Sequence, residues 1–297
     1  MGAILLGLVP AIGWGFQGIV MQKIGGNTAN KQMGMVLSAL VLGIIVLAVH
    51  PISWTPTLIA AAALNGIPWS VGQILQIKAF DYLGVSRTMP VSTGLTLLGT
   101  TLLGAFVFHE WTQTWQFVAG FVALALIIVG VACTAYQENK DDGSIDLKRG
   151  IVALVISSIA YLFYSAAGTV FAVDGLDLIF PQAIAMVCST VVIACFLCSK
   201  TAPEGIGDRE QGVFGKKSFQ NMIAGVLFAA ANFAVILSTQ LNGLAVGWTL
   251  GQMNVIVSTL GGLFILHEKK TKKELTFVVA GMVLVALGGI LIGITKQ

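Results

Sequence analysis

The chain has 297 residues, of which 56% are hydrophobic and only 10% charged, with a formal net charge of +3 and a mean hydropathy of +0.90. A typical soluble domain carries about 25% charged residues. Because so few ionic side chains cannot cover a water-facing surface of normal size, the composition excludes a soluble globular protein. It predicts an all-α integral membrane protein whose surroundings are a lipid bilayer.

Apolar runs of about 20 residues, the length that crosses a bilayer, recur from one end of the sequence to the other. We predict ten membrane-spanning helices, at residues 3–21, 32–50, 57–77, 89–108, 114–135, 150–172, 178–199, 218–239, 243–266 and 275–295. The first run has neither a basic leader nor a small-residue cleavage pattern. It is therefore predicted to be a retained span and not a signal peptide.

A short polar break occurs twice in the chain. GAFVFHE at 104–110 matches GLFILHE at 262–268, so that Glu110 and Glu268 are 158 residues apart. An internal repeat of this kind indicates two related halves. The predicted organisation is a first five-helix repeat at 1–135, a connecting loop at 136–149 and a second five-helix repeat at 150–297.

Basic residues are distributed unevenly between the two faces that this span count defines. Fifteen of the sixteen lysines and arginines follow odd-numbered spans, and only Lys296 lies on the other side. Positively charged loops stay in the cytoplasm, so we predict that the 136–149 loop is cytoplasmic and both termini are extracellular. Five spans per half turn the second half upside down relative to the first. The sequence thus predicts inverted-topology repeats, an architecture of secondary transporters.

The predicted third span carries a polar stripe. Asn65, Trp69, Gln73 and Gln76 are spaced so that they share one helical face. Amides donate and accept hydrogen bonds, and an indole ring offers an apolar plate. This face suits a neutral ligand rich in hydroxyl groups. The alternative is that the amides only hold helices together.

Other spans add polar and aromatic residues within the membrane. The further candidate substrate-binding residues are Trp14 and Gln17 in the first span, Tyr161 and Tyr164 in the sixth, Asn232 in the eighth, and Trp248 and Gln252 in the ninth. For Trp14 and Gln17, which lie beside glycines, close helix packing is the alternative. Thr93, Thr96 and Thr100 are interpreted as packing residues, because a lone hydroxyl usually bonds back to its own helix. Asn254 is predicted to lie on a different face from Gln252.

Charged side chains lie at the ends of the predicted spans and not within them. No fixed charge at mid-membrane is available to balance an ionic substrate, which argues for a neutral one. Glu110, Glu268 and, behind them, Asp81 are the candidates for proton coupling. For the two glutamates the favoured alternative is structural, because each could cap the N-terminus of the next helix and interact with its dipole.

No motif indicates a metal site, a cofactor or catalysis. The four cysteines lie in or beside apolar runs, and the CxxC at 195–198 has no second pair to complete a metal site. HExxH, a nucleophilic serine motif and a phosphate-binding loop are all absent from the sequence. We expect neither an enzyme nor a metal, cofactor or nucleic-acid partner.

Three stretches carry a resemblance to a known family: AILLGLVPAIGWGFQGIVMQKIGG at 3–26, NGIPWSVGQILQIKAFDYLGVSRTMPVSTGLTLLGT at 65–100, and FHEW at 108–111. With the ten spans and the two glutamates, the chain resembles the drug/metabolite transporter superfamily, and more narrowly its glucose/ribose porter family. The resemblance covers essentially the whole chain. It implies proton-linked sugar uptake across the cytoplasmic membrane, and it supplies no set of binding residues.

The sequence favours a sugar uptake permease that imports glucose or a related monosaccharide by alternating access, with proton coupling. The alternative is an exporter of drugs or metabolites from the same superfamily. An exporter of lipophilic cations should have a more apolar cavity or a mid-membrane carboxylate, so the amides of the third span favour the sugar.

Overall fold

The structure is a computed structural model that describes residues 2–136, 138, 146–197 and 214–295. Most of the predicted connecting loop, Cys198, and the basic residues Lys140, Lys200 and Arg209 lie outside these ranges. The helices are α1 (Gly2–Ile24), α2 (Thr28–Val49), α3 (Pro56–Leu83), α4 (Val85–Leu102), α5 (Thr114–Thr134), α6 (Leu147–Phe171), α7 (Gly175–Leu197), α8 (Lys216–Asn242), α9 (Leu244–Gly251), α10 (Asn254–Phe264) and α11 (Lys272–Ile294). A π-helical turn, Leu103–Val107, continues α4.

Several helices begin where the sequence supplies an N-cap. The Thr55 side chain accepts a hydrogen bond from the Leu58 amide, and Pro56 opens α3 at a position where proline's missing N–H costs nothing. Thr271 and Glu274 form a reciprocal capping box at the start of α11. These local signals determine where the apolar helices begin, which composition alone does not specify.

Two single glycines connect consecutive helices. Gly84 joins α3 to α4 with φ 75°, and Gly243 joins α8 to α9 with φ 78°. Glycine adopts this left-handed backbone without steric cost. Two non-glycine residues, His109 and His267, both have φ 53° and stand in the two repeated breaks. The φ angle at the histidine is therefore the same in the two breaks.

Nine helical segments, among the residues described, are long and apolar enough to cross a membrane, and one of them joins α4 to the π-helical turn. The predicted ninth span, 243–266, differs from expectation because it consists of α9 and α10. The chain turns at Gln252 and Met253, where hydrogen bonds of the i to i+3 type replace the α-helical pattern. Hydropathy alone does not reveal this break, since the whole stretch is apolar.

The helices pack into one bundle with two ends. In the interior α3 packs against α6 and α7, α1 against α8 and α10, and α4 against α6 and α10, while α5 pairs with α11 at one side. We call the end with residues 24–28, 83–85 and 264–272 the lysine-rich face. The end with residues 50–55, 108–113 and 242–244 is the Glu110 face.

Large apolar side chains cover much of the outside of the bundle. Val49, Val192 and Phe264 are 80%, 70% and 72% exposed. Exposed apolar surface on this scale is unfavourable in water and is what a lipid-facing surface requires. The fold is that of a multi-pass membrane protein.

Candidate substrate-binding site

A small cavity of about 50 Å³ lies at the centre of the bundle, between α1, α3, α4, α6 and α8 and beside the break in the predicted ninth span. Its lining consists of Trp14, Gln17, Gly18, Trp69, Gln73, Gln76, Phe80, Met89, Ser92, Thr93, Thr96, Tyr161, Tyr164, Phe228, Trp248, Gln252 and Asn254. None of these lining side chains is charged. A pocket lined by neutral donors and acceptors suits a neutral polar ligand.

Most of the candidate residues from the sequence meet at this cavity. Nine of them line it, namely Trp14, Gln17, Trp69, Gln73, Gln76, Tyr161, Tyr164, Trp248 and Gln252. Asn232 lies behind the wall, where its side-chain oxygen accepts a hydrogen bond from the Tyr164 hydroxyl. Asn65 lies further along α3 and lines a neighbouring cavity instead.

The amides of α3 are joined to α6 by Tyr161. Its hydroxyl lies 2.9 Å from Oε1 of Gln73 and 3.1 Å from Oε1 of Gln76. The Nε2 of Gln76 donates to the Ser92 hydroxyl at 2.8 Å. The Gln73 Nε2 has no hydrogen-bond partner, although Gln73 is only 3% exposed. A donor thus faces the cavity without an acceptor.

Unpaired polar atoms occur on three sides of the cavity. They are Nε2 of Gln73, Oε1 of Gln17 and Nε1 of Trp248, all buried. Leaving a buried polar group without a partner costs about 1–3 kcal/mol. Two donors and one acceptor that converge on a cavity are the groups that ligand hydroxyls would satisfy.

Aromatic rings form the remaining walls. The Trp14 and Trp248 ring centroids are 5.5 Å apart, and those of Tyr164 and Trp248 are 5.3 Å apart with nearly perpendicular planes. On the other side, Trp69 packs on Phe228 with a centroid distance of 4.6 Å. Flat apolar surfaces next to polar atoms can hold the CH face of a sugar ring while its hydroxyls are hydrogen-bonded.

Several lining residues were not expected from the sequence. Thr93 and Thr96 line the cavity, and the Thr93 hydroxyl donates to Oδ1 of Asn254 at 3.1 Å. Thr100, by contrast, donates to the Thr96 carbonyl of its own helix. Asn254 reaches the same cavity as Gln252 because the helix breaks between them. A continuous helix would have turned these two side chains to different faces.

A second cavity of about 360 Å³ lies towards the Glu110 face, and we call it the vestibule. It is lined by Asn65, Glu110, Tyr164, Ser165, Gly168, Thr169, Ala172, Val173, Gly175, Leu178, Val235, Ile236, Thr239, Gln240, Gly243 and Trp248. Tyr164 and Trp248 belong to both linings. These two rings therefore separate the vestibule from the central cavity.

The three acidic candidates for proton coupling have different surroundings. Glu110 lines the vestibule. Asp81 lies 3.9 Å from the Lys31 ammonium, and its side chain is 45% exposed. Glu268 accepts hydrogen bonds from the Val85 and Ser86 amides.

The prediction that Glu268 caps the next helix in the chain is wrong about which helix is capped. Glu268 does cap a helix, but that helix is α4 and not the next helix in the chain, α11. The start of α11 is already capped by Thr271. Because the amides at the start of α4 lie next to the break, the Glu268 carboxylate satisfies them across the bundle.

One group of described residues has metal-ligand geometry, His50 with Asp174 and Asp177 at the Glu110 face. The atoms are already occupied by protein contacts: His50 Nε2 lies 2.8 Å from Asp177 Oδ1, and Asp174 accepts from the Leu176 amide and from Gln240. The group lines neither cavity. We interpret it as a contact between α2, α7 and α8.

These features define the class: a multi-pass helical membrane protein with an uncharged polar and aromatic cavity at its centre. The family model described as "Sugar transport protein" matches residues 5–295. The chain belongs to this family, which confirms the resemblance seen in the sequence. It is accordingly grouped with transporters and not with enzymes.

The chain is also similar to individual proteins over its whole length. A Listeria monocytogenes protein named "Putative sugar uptake protein" is 44% identical over 295 residues, covering 99% of each chain. A Bacillus cereus protein named "Probable glucose uptake protein" is 40% identical over 297 residues, again covering 99% of each. One solved crystal structure superposes with a TM-score of 0.66 at 13% identity, covering 97% of this chain and 99% of the other. That structural likeness shows the fold alone.

Proposed function

We propose that this protein is a permease that imports a neutral monosaccharide, glucose or a close relative, by alternating access and with proton coupling. The observation that carries the proposal is the set of unpaired buried polar atoms around an uncharged, aromatic-lined cavity. A sugar supplies hydroxyls to Gln17 and Gln73 and an apolar ring face to Trp14 or Trp69. The names of the similar proteins from Listeria and Bacillus agree with this class of substrate.

The size of the central cavity suits a transport cycle in which this site opens and closes. A single water needs about 10–15 Å³ of such volume, so 50 Å³ holds a few waters and not a hexose. Binding therefore needs the surrounding helices to separate. Alternating access provides that movement, since each half-cycle opens the site to one side.

Two inverted five-helix halves, at 1–135 and 150–297 with the 136–149 loop between them, are the arrangement we propose for this movement. Here α9 and α10 together count as the ninth of ten spans. The matched angles of His109 and His267, and of Gly84 and Gly243, support a repeat. So do two matched hydrogen bonds, from the Glu110 amide to Gly104 O and from the Glu268 amide to Gly262 O. The paired packing of α1 on α8 and of α3 on α6 is what a twofold relation between halves would produce.

We assign the lysine-rich face to the cytoplasm, following the positive-inside rule. The vestibule and both termini are then on the outside of the cell membrane. Glu110 becomes the preferred proton-coupling residue, because among the three acidic candidates it is the one that lines a cavity.

Export of a drug or metabolite is the weaker alternative. A lipophilic cation would need a carboxylate or a wholly apolar wall at the centre, whereas the described lining has amides, hydroxyls and indoles. The names of the similar proteins given above refer to uptake. Both points favour import of a sugar.

Uptake of radiolabelled sugar into proteoliposomes, with and without a protonophore, tests the proposal. We expect saturable uptake of a monosaccharide that an inward proton gradient drives above equilibrium. Saturable uptake that ignores the protonophore would replace coupled import with facilitated diffusion. Lack of saturable uptake for every monosaccharide tried would overturn the sugar assignment.

A further inference from the structure

The vestibule has the size and chemistry of a binding site of its own. At about 360 Å³ it lies within the range of small-molecule pockets, roughly 300–1,000 Å³. It is bounded by α3, α6, α7, α8 and α9 and reaches the exposed side chains of Thr169 and Gln240. It is several times larger than the central cavity next to it.

Two residues of the vestibule lining, Asn65 and Trp248, each have a buried polar atom without a partner, and Trp248 also lines the central cavity. Asn65 is 3% exposed, and its Nδ2 donates to the Tyr164 carbonyl at 2.9 Å while its Oδ1 accepts no hydrogen bond. Nε1 of Trp248, a residue that is 4% exposed, is likewise unpaired. An acceptor and a donor thus stand unpaired among the residues of the vestibule wall. A ligand with hydroxyl groups satisfies both kinds of atom, because a hydroxyl donates and accepts.

The rest of the vestibule wall combines polar and apolar side chains. Thr169 and Thr239 offer hydroxyls, and the apolar side chains of Leu178 and Ile236 provide surface for a CH face. No lysine or arginine belongs to the described lining, so an anionic ligand has no counter-charge there. The lining also contains Glu110, whose carboxylate can accept hydrogen bonds from hydroxyl groups. The chemistry therefore matches a neutral polyol, with one acidic group that the central cavity does not have.

We propose that the vestibule is a second sugar site, filled from the Glu110 face before the sugar reaches the central cavity. This inference rests on the proposed function for the class of ligand. Tyr164 and Trp248 form the partition between the two sites, with ring centroids 5.3 Å apart. Trp248 stands on α9, a helix of only eight residues that ends at a break in the chain. Movement of α9 away from Tyr164 opens the way from one site to the other.

Equilibrium binding of tritiated D-glucose to the purified protein in nanodiscs tests the number of sites. We expect two glucose molecules per wild-type chain, with the affinity of the vestibule site lowered in Asn65→Leu and Thr239→Val and that of the central site lowered in Gln73→Ala. The first two variants remove vestibule groups, and the third removes a central group. A single wild-type site that Gln73→Ala weakens and that Asn65→Leu and Thr239→Val leave unchanged would overturn the inference.

Chemical labelling gives a measurement that does not depend on stoichiometry. In a background with the four native cysteines replaced, Ala172→Cys, at an exposed position of the vestibule lining, is labelled from the outside with an impermeant maleimide. We expect saturating glucose to slow this labelling about tenfold, the effect of a site that is about 90% occupied, and to do so also when Gln73→Ala is added. Labelling that glucose does not slow, in a variant that still transports glucose, contradicts a vestibule site.

The two proposals fail in different ways. If the wild type takes up glucose but binds it at the central site alone, the vestibule site is wrong and the permease stands. If the wild type neither binds nor transports glucose, both are overturned.

Discussion

Glu268 caps a helix, α4, that begins more than half the chain away, at Val85. Its Oε1 accepts from the Val85 amide at 2.6 Å and from the Ser86 amide at 3.2 Å, and Oε2 also receives the Ser86 hydroxyl. A negative carboxylate at a helix N-terminus satisfies free amides and interacts favourably with the helix dipole. The carboxylate also lies close to the backbone of Gly84, where an added Cβ would be only 2.9 Å from it. The first turn of α4 and the break before α11 are thereby held together.

Replacing Glu268 should lower stability. In Glu268→Ala the amides of Val85 and Ser86 lose their acceptor, and we expect a loss of about 1–2 kcal/mol, as for other N-caps. Glu268→Gln keeps one acceptor oxygen and should lose less. Thermal unfolding of the detergent-solubilised variants measures both. Equal, unchanged midpoints in the two variants would show that the cap contributes nothing to stability.

Replacing Glu110 should separate coupling from transport. We expect Glu110→Gln to abolish accumulation of sugar against a gradient, because a neutral amide cannot carry a proton. Exchange of labelled for unlabelled sugar across the membrane should persist. The matched control is Glu268→Gln, whose uptake should remain sensitive to a protonophore. If the sensitivity is lost in the control and kept in Glu110→Gln, the two glutamates have been assigned the wrong way round.

Lys270 should make stability depend on pH. Burial, with the positive charge of Arg87 nearby, lowers the pKa of the Lys270 ammonium from its ordinary 10.5 to about 8, although Glu268 lies 3.8 Å away. Between these two values the unfolded chain binds more protons than the folded one, so stability should rise with pH across this window. Below pH 8 both states are protonated, and the effect should level off.

The variant Lys270→Met supplies the comparison for this pH effect. It removes the titrating group and keeps most of the apolar stem. Thermal midpoints of the wild type minus those of the variant should therefore increase from pH 8 to pH 10. A difference that stays constant or falls over this range would contradict a buried Lys270 with a lowered pKa.

Gln73 should contribute to sugar affinity more than to folding. Its Nε2 is unpaired in the cavity, so Gln73→Ala removes a donor that only a ligand would use. The variant also removes one acceptor of the Tyr161 hydroxyl, but Oε1 of Gln76 remains within hydrogen-bond distance of that hydroxyl. One neutral hydrogen bond is worth about 0.5–1.5 kcal/mol, which predicts a rise in KM of up to about tenfold. The control is Gln220→Ala, because the Gln220 side chain lines neither cavity. Uptake kinetics that do not change in Gln73→Ala would remove α3 from the central site.

The sequence predicted which faces of the helices are polar, and the structure places most of those faces around one cavity. Helical spacing reports direction around an axis and not position along it. Asn65 and Gln76 share a face but lie about 16 Å apart along α3, at 1.5 Å per residue. That distance explains why Asn65 lines the vestibule while Gln76 lines the central cavity.

Other features depend on contacts between distant segments, and local sequence patterns do not predict such contacts. The amides that Glu268 caps belong to the other half of the chain, so the partner could not be inferred from the residues that follow it. The apolar run through 243–266 predicts one continuous helix, and such a helix would place Asn254 on a different face from Gln252. Only the packed bundle shows that the run turns at Gln252 and Met253.

The same turn has a consequence for how the protein enters the membrane. The eight residues of α9 and the eleven of α10 extend about 12 Å and about 17 Å, so neither alone crosses a hydrocarbon layer of about 30 Å. Backbone groups that the turn leaves outside the α-helical pattern cannot face lipid. They are sheltered where α1, α4 and α11 pack against these two short helices. We therefore expect stable insertion of this segment to be completed only when the bundle assembles around it.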